Sequence, residues 1–135
     1  MIARFSISTR GQGLHEITDR VREAVRAANI SEGLSTVFLR HTSASLVIQE
    51  NADPSARRDL ERWLARLVPE NDPVYTHNAE GSDDMPAHIK AALTATSLSI
   101  PIDHGDLVLG TWQGIYVWEH RSSPHQRSVV VHIAG

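Results

Sequence analysis

The sequence predicts an α+β domain, a mainly antiparallel, sandwich-like β-structure with flanking helices that spans residues 1–135 as one unit. Several segments alternate apolar and polar side chains, as half-buried strands do, and others repeat apolar side chains at helical spacing. The later strands are separated only by short turns, so they should pair antiparallel. A chain of 135 residues is also long enough to bury one sizeable core.

The first half of the chain is predicted to run strand, helix, strand, strand. Residues 3–7 alternate as a strand, and the TRGQG that follows is typical of a turn or flexible loop. Apolar residues between Ile17 and Ala28 then recur at helical spacing. Two strands rich in β-branched and aromatic residues are predicted at 34–41 and 44–49, with a bend of small residues between them.

The second half is predicted to contain two more helices and then strands. A helix begins at Asp53, whose carboxylate suits the N-cap, and Pro54, which suits the first helical position. A short helix starts at Pro86, and residues 98–102 alternate as a strand. LVLGTWQGIYVWEHR is one long strand, or two joined at its glycines. SSPHQ is predicted to be a hairpin that leads into the last strand, RSVVVHIAG.

The strand near the end of the chain is apolar on both faces. Ile115 and Val117 share one face, and Tyr116 and Trp118 share the other. Such a strand needs a covering layer on each side. Helices are one candidate cover and a neighbouring subunit is the other, so the pattern favours a homo-oligomer.

The composition narrows the class of protein. A formal charge of −3 argues against a nucleic-acid-binding protein, which normally presents a basic face. No apolar run approaches the roughly 20 residues that span a bilayer, and no secretory signal is recognisable, so no membrane partner is expected. The absence of cysteine excludes disulfides and thiolate metal sites and fits a cytoplasmic protein.

Eight histidines are the unusual feature of this composition, because imidazole and carboxylate are the strong metal ligands left to a chain without cysteine. We expect His41, His77 and His88 to converge on a divalent ion, either zinc or magnesium. Three histidines with an open fourth position form a catalytic arrangement for zinc. Asp84 or Glu119 would then orient a ligand or act as general base.

Each of these residues also has an ordinary structural interpretation. His41 would be a hydrogen-bonded histidine at a strand end, and His77 an exposed loop residue. Asp84 would cap the helix that Pro86 begins, and His88 would lie on the solvent face of that helix. Spacing alone does not decide between the two interpretations.

Two further patterns allow phosphate binding. The glycines that flank LGTWQG would let backbone N–H groups point at an anion, although a β-bulge explains them too. Arg121 would clamp an anionic substrate or pair with Glu119. Ser43 and Ser45 are poor nucleophile candidates because no G-x-S-x-G sequence surrounds them.

Four segments carry a family resemblance. HTSASLVIQENADP, HNAEGSDDMPAHIKAAL, IPIDHGDLVLGTWQGIYVWEHR and the terminal VVVHIAG resemble the YjbQ-like family, also called the secondary thiamine-phosphate synthase family. The match runs from about Leu39 to the end. The presence of both DDMPAHIK and LGTWQGIY makes the resemblance specific. The sequence departs from the family pattern at His120, where the family typically has an aromatic residue.

The resemblance implies a trimeric, β-sandwich-like α+β fold and a polar pocket. The metal ligands it implies are His41, His77 and His88. The implied catalytic residues are Glu119, Asp84 and Arg121. The implied substrate-binding residues are Ser43, Asn51, Asp53, Thr111 and Gln113, and the glycine-flanked segment adds Gly110.

The activity that the resemblance implies is weak thiamine-phosphate synthesis. A hydroxymethylpyrimidine diphosphate and a thiazole phosphate would be joined with release of pyrophosphate, in a metal-dependent reaction. The expected partners are therefore a small phosphorylated substrate and further copies of the chain in a homotrimer. The alternative is a non-catalytic trimer that binds a metal or a small ligand.

Overall fold

The computed structural model describes residues 1–135 and contains eight strands and three helices. In chain order the elements are β1 Ile2–Thr9, β2 Gly13–Glu16, α1 Thr18–Ala28, β3 Gly33–Leu39, β4 Ala44–Glu50, α2 Pro54–Leu67, α3 Asp84–Leu93, β5 Ser97–Asp103, β6 Asp106–Leu107, β7 Gln113–Glu119 and β8 His125–Ala134. None of the helices is long and apolar enough to cross a bilayer.

The strands form two sheets. A five-stranded sheet has the order β1-β8-β3-β5-β6, and a three-stranded sheet has the order β2-β7-β4. Every pair of neighbouring strands is antiparallel. The predicted α+β class with mainly antiparallel strands is confirmed.

The main core lies between the two sheets. Val37 and Val131 point inward from the large sheet, and Ile115 and Val117 point inward from the small one. Val21 of α1 is fully buried in the same cluster, so this helix closes the core at one side. Its amphipathic spacing is what the sequence predicted for this segment.

The outer face of the small sheet is covered by helices of the same chain. Tyr116 and Trp118 of β7 form a second apolar cluster with Leu64 and Val68 at the end of α2. The prediction that β7 needs a cover on each face is confirmed. Both covers come from this chain, so the apolar pattern of β7 does not by itself require a neighbouring subunit.

The predicted hairpin at SSPHQ is wrong. β7 and β8 follow each other in sequence but belong to different sheets, so residues 120–124 cross from one sheet to the other. Both edges of each strand are already paired, β7 with β2 and β4 and β8 with β1 and β3, so no edge is left for a β7–β8 hairpin. Where the two strand ends face each other, Glu119 of β7 forms a buried ion pair with Arg127 of β8 across the core.

The turn predicted at TRGQG is present at residues 10–12, but the short strand β2 that follows it was not predicted; its Leu14 pairs with Trp118. Of the two alternatives for LVLGTWQGIYVWEHR, the division into two strands is the one found, with an irregular loop at 108–112 between β6 and β7. A tight hairpin does join β5 to β6, with positive φ at both His104 and Gly105, as a type I′ turn requires.

Candidate metal centre

Three side chains on and before α3 form a compact group that we call the histidine cluster: His77, Asp84 and His88. One ligand atom from each lies within 4.8 Å of the others. Nε2 of His77 is 2.7 Å from Oδ2 of Asp84, and the two imidazole rings lie 5.2 Å apart. Asp84 and His88 are four residues apart, so they share one face of α3. The loop before α3 supplies His77.

The orientation of the His88 ring is set by its backbone partner. Nδ1 of His88 is 2.8 Å from the carbonyl oxygen of Thr42, so Nδ1 carries the proton and donates it. In the neutral ring Nε2 then carries the lone pair, and this atom lies 3.4 Å from Oδ1 of Asp84. Two electron-rich atoms that face each other across this gap make a suitable place for a cation.

The acidic loop is held in place by Arg121. Its Nε and NH1 groups donate to Asp83 and Asp84 at 3.0 and 2.9 Å, and NH2 donates to the carbonyl oxygen of Glu80. Burial raises the pKa of Asp83, but hydrogen bonds from the Ser122 N–H and Arg121 outweigh it, and the pKa is lowered overall. Arg121 therefore fixes the loop through its bonds to Asp83 and Asp84, and the alternative in which its guanidinium pairs with Glu119 is wrong.

Two cavities flank the histidine cluster. One has a volume of about 420 Å³ and is bordered by His77, Tyr75 and Met85. The other, of about 240 Å³, is bordered by His41 and His88. The histidine cluster therefore has open space on two sides.

His41 lies outside the histidine cluster, in contrast to its predicted place among the metal ligands. Its Nε2 accepts a hydrogen bond of 2.7 Å from the backbone N–H of Ser128. Burial, followed by the positive charge of Arg127, lowers the pKa of His41 and favours the neutral ring. β3 ends at Leu39, so the alternation that placed His41 on the inward face no longer applies there. Asp84 takes the third position in the cluster.

The Glu119 carboxylate is hydrogen-bonded to residues outside the histidine cluster. Oε1 accepts from Thr9 at 2.6 Å and from Nε of Arg127 at 2.7 Å, while Oε2 accepts from NH2 of Arg127 and from the backbone N–H of Arg121. Burial raises the pKa of Glu119, but these bonds outweigh it and the pKa is lowered overall. NH2 of Arg127 also donates to Ser43. A general-base role for Glu119 stays a prediction.

Arg127 is the site residue that the sequence analysis missed. It shares the inward face of β8 with Val129 and Val131 and is almost fully buried. A basic residue at an inward position of a strand needs an anionic partner. That position in the alternation was the available signal, and Glu119 on the inward face of β7 was its counterpart.

The remaining predicted substrate-binding residues lie at the other end of β7. They are Asn51, Asp53, Gly110, Thr111 and Gln113. The backbone N–H of Gly110 donates to Oε1 of Gln113 at 2.8 Å, and that of Asn51 donates to the carbonyl oxygen of Trp112. β7 spans seven residues from Gln113 at this end to Glu119, a rise of roughly 20 Å. One chain therefore does not bring this set to the histidine cluster, and its role in substrate binding stays a prediction.

Comparison with known proteins places this site in a family. A family model described as "UPF0047 protein YjbQ-like" matches residues 3–135. A relative from Synechocystis, the UPF0047 protein sll1880, is 55% identical over 129 residues, which cover 96% of this chain and 88% of the relative. The UPF0047 protein YjbQ of Escherichia coli O157:H7 is 40% identical over 131 residues, covering 96% and 94%.

Solved structures share the fold. A YjbQ/UPF0047 family protein from Clostridium acetobutylicum superposes with a TM-score of 0.90 at 40% identity and covers 98% of this chain and 99% of its own. A conserved hypothetical protein from Thermus thermophilus gives a TM-score of 0.87 at 34% identity, covering 98% and 99%. Since the family model spans nearly every residue and the relatives match over almost their full length, this chain belongs to the YjbQ-like UPF0047 family.

Proposed function

We propose that this protein is a metal-dependent enzyme of the secondary thiamine-phosphate synthase type, which acts on a small phosphorylated substrate. The observation that carries the proposal is the histidine cluster, above all the Nε2 lone pair of His88 facing the Asp84 carboxylate at 3.4 Å. The side chains that would hold the ion are His77, Asp84 and His88.

The donor set favours one class of ion. Two imidazole nitrogens and one carboxylate oxygen are donors that suit zinc and related transition metals, whereas magnesium prefers oxygen ligands and bound water. Of the two ions expected from the sequence, zinc fits these residues better. His77 is the most exposed member of the set, which leaves room for a substrate beside it.

When bound, a divalent cation would neutralise negative charge on a diphosphate leaving group. The chain itself supplies further phosphate donors. Arg121 has five N–H groups, and three of them are engaged by Asp83, Asp84 and the Glu80 carbonyl, so two N–H groups remain for a phosphate oxygen. These contacts also fix the direction in which the guanidinium presents its free groups.

The alternative is a non-catalytic trimer that binds a metal or a small ligand. The burial of Asp84 and its bonds to His77 and Arg121 are compatible with a structural site. The two proposals differ in the fourth ligand position, which is a water or a substrate in an enzyme and a protein group in a closed structural site.

We further propose that the active pocket forms between subunits of a homotrimer. The substrate-binding set near Gly110–Gln113 lies roughly 20 Å from Glu119 along β7, too far to serve the same substrate within one chain. In a homotrimer with head-to-tail contacts, a neighbouring copy would bring its Gly110–Gln113 loop to the histidine cluster of the first. The pocket would then lie between subunits.

Metal analysis of the purified protein tests the cluster directly. We expect bound zinc in the wild type, at about one ion per chain, and at least a tenfold loss of affinity in His77→Asn and His88→Asn. Asparagine at position 88 keeps a side-chain N–H near the Thr42 carbonyl and removes the Nε2 donor. His104→Asn is the matched control, since His104 lies in the exposed β5–β6 turn and asparagine tolerates its positive φ.

Activity is measured on the same variants. Thiamine phosphate formed from the two phosphorylated precursors should fall in His77→Asn and His88→Asn and stay unchanged in His104→Asn. Wild-type protein without bound metal, together with unchanged synthesis in His88→Asn, would refute the proposed function. Metal binding without any synthesis would favour the non-catalytic alternative.

A further inference from the structure

The chain contains a single lysine among its basic residues, and that lysine is buried. Lys90 on α3 is only 6% exposed. Lysine is almost never buried to this degree without a partner, because its ammonium is strongly hydrated. No ion pair or hydrogen bond within the chain reaches this ammonium, and Glu70 and Asp83 act on it only at longer range. The side chain is buried, but its ammonium reaches solvent and has no acceptor within the chain.

Lys90 borders a crevice of about 200 Å³ between α2 and the outer face of β7, which we call the lysine crevice. Leu64 and Trp118 give it an apolar wall, and the exposed Arg62 also borders it. Glu61 borders the crevice too, but its carboxylate lies against the Gly13 backbone and forms no ion pair with Lys90. A buried cation beside an apolar wall is a combination that small-ligand sites use.

A second polar group reaches the same crevice. The His120 ring is buried, and its Nε2 lies 2.9 Å from the Ser45 hydroxyl, while Nδ1 has no partner in the chain. Burial, with the nearby Lys90 ammonium, lowers the pKa of His120 to about 3, so the ring is neutral. The ring centroid lies 5.6 Å from that of Trp118, so imidazole and indole border one cavity together.

The lysine crevice is separate from the histidine cluster. Lys90 and His88 are two positions apart on α3, so their side chains leave the helix roughly 200° apart. His88 faces the Thr42 carbonyl, and Lys90 faces Trp118 and α2. A ligand in one site does not touch the side chains of the other.

We propose that the lysine crevice binds a small monocarboxylate with an apolar body. The Lys90 ammonium donates to the carboxylate, and the apolar part packs against Leu64 and Trp118. Of the charged groups that line the crevice, Arg62 is exposed and the Glu119 carboxylate is bound by Arg127. Lys90 is therefore the inner cation without a partner, and it matches one negative charge. A phosphate dianion would call for more donors than this wall offers. This site goes beyond the proposed metal-dependent reaction and does not depend on it.

The sole lysine allows a direct test by NMR. Protein labelled with ¹³C-lysine gives one lysine Cε signal, and its shift is followed during titration with benzoate, acetate and inorganic phosphate. We expect saturable movement with benzoate, with at least about tenfold weaker binding of acetate, because acetate lacks the apolar body. A signal that benzoate leaves unmoved, or that phosphate moves as effectively, overturns the proposal.

Variants provide a second readout. Trp118 is the one buried tryptophan, so its fluorescence in a Trp63→Phe, Trp112→Phe background reports on the crevice. Lys90→Met keeps the apolar stem and should abolish the benzoate response, while Arg66→Met at an exposed position of α2 should retain it. His88→Asn should also retain it, which separates this site from the proposed metal centre. A benzoate response in Lys90→Met equal to that of the wild type refutes the role of the ammonium.

Discussion

His120 shows how one side chain can make the stability of the fold depend on pH. Its ring is 1% exposed, next to Trp118 and Ser45, and it takes the place where the resembling family typically has an aromatic residue. A neutral imidazole serves there as an aromatic ring that also bonds to the Ser45 hydroxyl. Its pKa of about 3 in the folded state lies well below the value of about 6.5 expected in the unfolded chain.

This difference predicts a loss of stability in mild acid. Between the two pKa values the unfolded state binds the proton and the folded state does not, so the free energy of unfolding falls as the pH falls below about 6.5. Between pH 7 and pH 5 the wild type should lose about 2 kcal/mol more than His120→Phe. Urea denaturation at the two pH values measures the difference, and the exposed His132→Phe should behave as the wild type does. An equal loss in His120→Phe and wild type would show that His120 accepts a proton in the folded state.

The sequence singled out two members of the histidine cluster but did not show which residue completes it. His77 and His88 were recognisable because their loop and helix are dense in ligand-type residues. Asp84 was assigned a supporting role because spacing along α3 does not reveal which oxygen faces which nitrogen. His41 was placed by strand alternation, and the alternation ended two residues earlier, at Leu39. Three-dimensional proximity across loops was the missing information.

Helix α2, which covers β7, is preceded by Asp53, a residue with two candidate roles. Asp53 caps it: Oδ1 accepts a hydrogen bond of 2.9 Å from the backbone N–H of Ser55, and Pro54 follows at the first position. This bond lowers the pKa of Asp53. The capping role was predictable from Asp-Pro alone. The substrate-binding role came only from the family resemblance.

Two substitutions separate these roles. Asp53→Ala removes the cap and should lower Tm by a few degrees, whereas Asp53→Ser preserves a side-chain acceptor and should leave Tm nearly unchanged. If Asp53 also binds substrate, thiamine-phosphate synthesis should fall in both variants. Thermal unfolding and the synthesis assay on both proteins measure this. Full activity in Asp53→Ser with wild-type Tm would leave capping as the only function of the residue.

Elements were easier to predict than their pairing. The helices and most strands followed from apolar spacing, since each element shows its buried face in its own sequence. The crossing between β7 and β8 did not follow, because a short turn-like connection has the same composition whether its strands pair or separate. What decides it is which strands pair: β7 pairs with β2 and β4, and β8 pairs with β1 and β3, and all of these partners are distant in sequence.

At the scale of the whole molecule, the candidate functional residues form two groups, one at each end of β7. The histidine cluster and Arg121 lie near its C-terminal end, and the Gly110–Gln113 loop precedes its N-terminal end. The twisted antiparallel sheet keeps this separation rigid, since β7 is buried on both faces and paired on both edges. Motion within one chain does not bring the two ends together. If both sets act on one substrate, they must come from different copies.

Mixing two inactive variants tests that arrangement. His88→Asn removes the cluster and keeps the loop, while Gln113→Ala removes a side chain that holds the loop and keeps the cluster. If the proposed site lies between subunits, co-refolded mixtures should regain about one quarter of wild-type synthesis, because half of the clusters and half of the loops are intact and meet at random in a head-to-tail ring. Light scattering establishes that the mixture assembles as the wild type does. A mixture of His88→Asn with Asp84→Asn, both damaged in the cluster, should stay inactive. Absence of any recovery in the first mixture, at wild-type assembly, would place the functional groups within one chain, whereas full activity of Gln113→Ala alone would remove Gln113 from the site.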